Sequence, residues 1–89
     1  MKKRVPQALR PLNVPRFLRV RTGSQGRPLA IHLEEGEKRV KQILEIWQID
    51  DEWWREEISR RYAILALQDG QMVTVFRDLV TGRWYLQEG

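Results

Sequence analysis

The sequence predicts a mainly β fold: a small antiparallel barrel, SH3-like or curled, of about six strands, with an extended basic arm at its N-terminus. Three observations point there. Short runs in which apolar and polar residues alternate recur from Phe17 to Gln87, separated by turn-forming clusters. The chain has 89 residues, which bounds it to one domain with a modest core. Three of its four prolines (Pro6, Pro11, Pro15) fall in residues 1–15, where they impose extended geometry and remove backbone donors. The division expected is therefore an arm over 1–15 and a barrel over 16–89.

Phe17 to Arg21 reads as the first strand, Leu18 and Val20 sharing one face and Phe17, Arg19 and Arg21 the other. The cluster Thr22 to Pro28 is a turn. Leu29, Ile31 and Leu33 alternate with Ala30 and His32 in a second strand, and Glu34 to Glu37 is the next turn. Lys38 to Asp50 is ambiguous. Val40, Ile43, Leu44 and Trp47 fit helical spacing, yet Ile43, Leu44, Ile46, Trp47 and Ile49 also fit a strand buried on both sides or one that changes sheets through a bulge. Its flanking elements are all β and the connections are short, so a strand is expected. Asp50 to Glu57 is acidic around Trp53 and Trp54 and is expected as a loop or one helical turn, with Asp50 or Asp51 as N-cap. Ile58 to Leu67 is a strand with Ala63, Leu65 and Leu67 on one face and Tyr62, Ile64 and Ala66 on the other. Asp69-Gly70 is a hairpin signal. Gln71 to Arg77 is a strand with Val73 and Val75 on one face. Asp78 to Gly82 is a turn, and Arg83 to Gln87 is the last strand. Closing such a set into a barrel limits exposed edges. Trp84 and one of Trp53 or Trp54 are expected to fill it, with Tyr62 against them.

Composition excludes several classes. There is no cysteine, so neither disulfides nor thiolate metal sites are expected. No apolar run approaches the ~20 residues of a membrane span. The basic N-terminus is not followed by an apolar signal core, and a cytoplasmic location is expected. The net charge of +4 is uneven: residues 1–27 carry eight cations and no acid, and the remaining eight cations face twelve acids. A basic arm suggests an anionic partner, though it can equally solvate the end of the chain.

Catalysis finds no support in the residues. His32 is the only histidine and lies on the polar side of its strand. The acids Asp50-Asp51-Glu52 and Glu56-Glu57 lack the spacing of a calcium loop. Thr22 to Arg27 lacks the lysine of a phosphate loop. No enzyme activity, cofactor or metal is expected. Binding is better represented. Arg60-Arg61-Tyr62, Arg77 and Arg83-Trp84-Tyr85 fall on strands that should be neighbours, and arginines beside aromatic rings anchor protein interfaces or hold single-stranded nucleic acid.

Residues 44–87 also resemble a small bacterial domain family of unknown function related to the C-terminal domain of ImuB, the polymerase-like subunit of the bacterial mutasome. The residues that carry the resemblance are Trp53-Trp54, Arg60-Arg61-Tyr62, Asp69-Gly70, Val75-Phe76-Arg77-Asp78 and Thr81-Gly82-Arg83-Trp84-Tyr85-Leu86. The resemblance implies a non-catalytic accessory of DNA repair or error-prone translesion synthesis that docks on a polymerase or mutasome subunit. Two departures stand out. Arg60-Arg61-Tyr62 replaces the family's Arg-Asp-Tyr, and Gln87-Glu88-Gly89 follows where ImuB tails continue into His-Gly-Leu-Phe.

The function expected is thus a protein-interaction module with Trp53, Trp54, Arg60, Arg61, Arg77, Arg83 and Tyr85 at the partner surface. The alternative is a nucleic-acid-binding barrel using Lys2, Lys3, Arg4, Arg10, Arg16, Arg19 and Arg21 with the arginine and aromatic strands.

Overall fold

The computed structural model describes residues 15–53 and 56–87, with 52, 53 and 56 described by backbone alone. Six strands run in chain order: β1 (Arg16–Thr22), β2 (Pro28–Leu33), β3 (Gly36–Trp53), β4 (Glu56–Leu67), β5 (Met72–Asp78) and β6 (Trp84–Gln87). Each is antiparallel to its neighbours, and β6 returns to β1 to close the barrel. A single 3-10 turn at Ser24–Gly26 joins β1 to β2.

Two strands do double duty. The first half of β1 pairs with β6 and its second half with β2. The start of β3 pairs with β2 through Arg39, and β3 from Val40 onward pairs with β4. The barrel is therefore two sheets sharing β1 and β3. The shift on β3 is made by two register breaks, between Val40 and Gln42 and between Ile43 and Glu45. Each inserts an extra residue that bends and twists the strand, the usual device at a barrel corner. The segment 38–50 is thus strand throughout, and it changes sheets.

The interior holds Leu18, Ile31, Ala63, Leu65, Leu67 and Val75, with Val20, Leu33, Val40, Ile43, Trp84 and Leu86 packed around them. Alternation explains the choice: Ala63, Leu65 and Leu67 lie on one face of β4, and Val73 and Val75 on one face of β5. The β4–β5 hairpin turns on three residues, Gln68 to Gly70, with Leu67 N–H donating to Gln71 O at 2.8 Å and Gly70 at φ +96°. A glycine takes that left-handed position without a Cβ clash.

Three sequence expectations need correction. The stretch 50–57 is neither loop nor helical turn in its described part, because β3 runs on to Trp53 and β4 begins at Glu56. Side-chain bonds replace the N-cap: across to β4, Ser59 Oγ donates to Asp50 Oδ1 at 2.6 Å, and along β3, Gln48 Nε2 donates to Oδ2 at 2.9 Å. These two bonds, Ser59's first, hold the Asp50 carboxyl below its ordinary range. Arg83 belongs to the turn before β6, since its N–H donates to Thr81 Oγ1 and its carbonyl accepts from Asp78 N–H. Tyr62 does not lie against Trp84. It faces outward on β4, while Trp84 packs against the core from β6. The side chains of Trp53 and Trp54 lie outside the described residues.

Candidate docking surface

Register pairing builds an outer surface that the alternation pattern does not announce. Phe17 on β1 pairs with Tyr85 on β6, Tyr85 with Phe76 on β5, Phe76 with Tyr62 on β4, and Tyr62 with Trp47 on β3. Direct cross-strand partners project from the same face. That face is the outer one, because the neighbours Leu18, Leu86, Val75 and Ala63 point inward. Five rings on five adjacent strands therefore form one continuous row.

The rings touch in sequence. Phe17 meets Tyr85 edge-on at 6.2 Å between centroids, and Tyr85 stacks on Phe76 at 5.1 Å. Phe76 leans on Tyr62 at 5.0 Å, and Tyr62 stacks on Trp47 at 5.3 Å with the planes 3° apart. Such offset and edge-on pairs follow from the ring quadrupole and contribute about 0.5–1.5 kcal/mol each beyond area burial. Arg60 covers the row, its guanidinium carbon 4.6 Å from the Phe76 centroid and its Nη1 donating to the Tyr62 hydroxyl at 3.3 Å. The result is a graded ridge: Phe76 is 2% exposed, the two tyrosines and Trp47 are half-buried, and Phe17 is 64% exposed. Ile49, register partner of Arg60, extends the apolar surface at 43% exposure.

The arrangement constrains the chemistry. In the middle of the row the flat faces of the rings are taken by neighbouring rings and by Arg60. That leaves ring edges, the two phenolic hydroxyls and the guanidinium for a partner to meet. Base stacking requires an open ring face. Edges with hydroxyl and guanidinium donors suit a protein surface that supplies apolar side chains and oxygen acceptors.

The surface expected from sequence is divided by the structure. Arg60 and Tyr85 belong to the ridge. Arg61 and Arg77 are register partners on the opposite face, at the mouth of the barrel. Arg83 is exposed in the β5–β6 turn. Trp53 is placed by backbone alone, opposite Glu56, and Trp54 lies outside the described residues. Lys2, Lys3, Arg4 and Arg10 also lie outside them. Arg16 pairs with Glu34 at 3.3 Å and Arg21 with Glu37 at 2.9 Å, while Arg19 is exposed on β1. Phe17, Trp47 and Phe76 are absent from the arginine and aromatic set read from sequence, and Tyr62 enters it only beside Arg60 and Arg61. Their common feature in sequence is an aromatic on the face opposite the core residues of each strand.

Among the described residues, no group of three or more His, Cys, Asp or Glu side chains is placed to hold a metal. Nor, among the described residues, is any helix long and apolar enough to cross a membrane. No family model matches the sequence, and no curated protein or solved structure is significantly similar to it. The likeness of residues 44–87 to the ImuB-related family rests on its motifs alone.

Proposed function

We propose that this chain is a non-catalytic docking module whose outer aromatic ridge binds a protein partner. The observation that carries the reading is the in-register row from Phe17 to Trp47 under Arg60. Aromatic rings and arginine dominate the binding energy of protein interfaces. A pre-stacked row loses little side-chain freedom on binding. The motifs in 44–87 suggest the partner's setting, a polymerase or mutasome subunit in DNA repair or translesion synthesis. The barrel acts there as an accessory without chemistry of its own.

Nucleic acid is the second reading, favoured by the eight cations in residues 1–27. Two of the cations it would use on the barrel, Arg16 and Arg21, already face carboxylates, which weakens their pull on phosphates.

The test is a titration of the mutasome polymerase subunit and its ImuB-type adaptor with wild type, Phe17→Ala and Trp47→Ala. These truncate the ends of the ridge and leave Phe76 covered. Each should weaken binding roughly tenfold, equivalent to about 1.4 kcal/mol, with circular dichroism confirming the fold. Unchanged binding in both variants would refute the ridge. Micromolar binding to a single-stranded oligonucleotide that falls steeply with salt would favour the second reading.

A further inference from the structure

The other side of the same sheet opens at one end of the barrel into a cavity of about 310 Å³. Three arginines line it, Arg27 on the β1–β2 turn, Arg61 on β4 and Arg77 on β5. Its apolar lining is Ile43 and Ile46 from β3, Ala63 from β4 and Trp84 from β6, with Ile46 57% exposed. Among the described residues, no carboxylate lines it. Among the described residues none of these three arginines is in an ion pair, whereas Arg16, Arg21 and Lys38 each have a carboxylate partner. Three like charges around one opening repel one another, and an anion placed between them relieves that repulsion.

The arginines are held in place by the protein. Arg77 Nε donates to Gly82 O at 3.2 Å, and its guanidinium carbon lies 5.6 Å from the Trp84 ring centroid. These contacts fix the plane of the group where it lines the cavity. Across the mouth, a Cβ on Gly26 would stand 3.2 Å from Arg77 Nη1, so the turn approaches closely because that residue is glycine, at φ +74°. Gln25 beside it, at φ +61°, is the one non-glycine with positive φ among the described residues. Such backbone is uncommon outside glycine and costs some strain, and here it shapes the lip of the cavity. Arg61 Nη2 reaches Gln48 Oε1 at 3.5 Å, a weak tether.

Three features narrow the ligand. A volume near 310 Å³ lies at the small end of ligand sites, enough for one large apolar group. The β3–β4 hairpin that runs on beyond the mouth carries Asp50, Asp51 and Glu57, so a polyanion leaving the cavity along it meets like charge. A single anionic group on an apolar body does not. Beyond Arg39, among the described residues, β3 pairs only with β4, so its other edge, beside Ile43 and Ile46, is open to the backbone of an extended peptide.

We propose that the mouth receives the free C-terminal carboxylate of a partner peptide whose last residue is large and apolar. Arg61 and Arg77 bind the carboxylate in the forked geometry that guanidinium offers. Ile43, Ile46 and Trp84 take the terminal side chain. The site lies on the opposite face from the aromatic ridge, so either can fail without the other.

The test uses the 15N-labelled full chain and two probes, N-acetyl-glycyl-glycyl-phenylalanine as free acid and as C-terminal amide. The free acid should give saturable shifts at the Gly26 and Gly82 amides and at the Nε–H signals of Arg61 and Arg77. The amide should bind roughly tenfold or more weakly, as should the acid to Arg61→Gln. Phe17→Ala should bind the acid as wild type does. Equal binding of acid and amide, unchanged affinity in Arg61→Gln, or no saturation by about 10 mM acid would overturn the proposal. Displacement of the peptide by lower concentrations of inorganic phosphate or of a single-stranded oligonucleotide would also overturn it.

Discussion

Phe76→Ala separates the register-built surface from a simple reading of alternation. On β5, Val73 and Val75 face the core, and Phe76 is on the other face. A residue there would ordinarily be solvent-exposed, and truncating it would cost within about 0.5 kcal/mol. The structure buries it to 2% exposure beneath Tyr62, Tyr85 and Arg60. A buried phenylalanine replaced by alanine costs about 3–5 kcal/mol. A chain of 89 residues has a total stability of roughly 4–13 kcal/mol at about 0.05–0.15 kcal/mol per residue. The substitution should therefore remove a large share of the stability. Urea unfolding followed by circular dichroism reads it as a midpoint lowered by roughly 2–5 M, for a slope near 1–1.5 kcal/mol per M. Phe76→Leu, which keeps most of the volume, should cost much less. A loss under about 1 kcal/mol for Phe76→Ala would mean that the ring is not covered in solution and would refute the ridge as described.

Two further outcomes follow from turns and charges. Asp69 is held below its ordinary carboxyl value of 3.8, first by the Gln71 backbone N–H and then by Lys38, whose Nζ lies 2.9 Å away. Its contribution is therefore present above 3.8 and lost as pH falls through the lower folded value. Lys38, raised chiefly by the Asp69 hydrogen bond, behaves in reverse and contributes until pH climbs through its raised value. Asp69→Asn should flatten the acid limb of a melting-temperature profile taken from pH 5 downward, and an unchanged limb would count against the pair. Gly70→Ala, at φ +96° with open space around it, should cost about 1 kcal/mol through backbone strain alone. Thermal melts measure it, and no loss would mean that the loop has another geometry.

The strands whose alternation is unbroken were legible in the sequence. Ala63, Leu65 and Leu67 on β4 announce their face, as do Val73 and Val75 on β5. The segment 38–50 was ambiguous for a physical reason. Two bulges on β3 space its inward residues three apart, at Val40, Ile43 and Ile46, which imitates helical spacing. The site was less legible because it depends on register. With a two-residue loop at Asp69-Gly70, Tyr62 would oppose Arg77, and the arginines and rings would share a face. The three-residue loop shifts the pairing by one, sets Phe76 opposite Tyr62, and puts Arg77 on the far side, opposite Arg61. A one-residue change of register moves every side chain across the sheet, and sequence alone does not choose between those loops.

The ring is closed by β1 meeting β6, and this has a kinetic meaning. The hairpins β3–β4 and β4–β5 join neighbours in sequence, whereas Phe17 and Tyr85 come from nearly opposite ends of the described chain. Contacts of such long separation bear the largest loop-closure entropy, so they form after the local hairpins. Closure is thus the natural final step of assembly and the first to reopen. The Phe17–Tyr85 contact then acts as a latch that governs how long the barrel stays shut more than how fast it forms. Phe17, the most exposed ring of the ridge, sits at this seam, so a partner that covers it also slows the opening of the barrel.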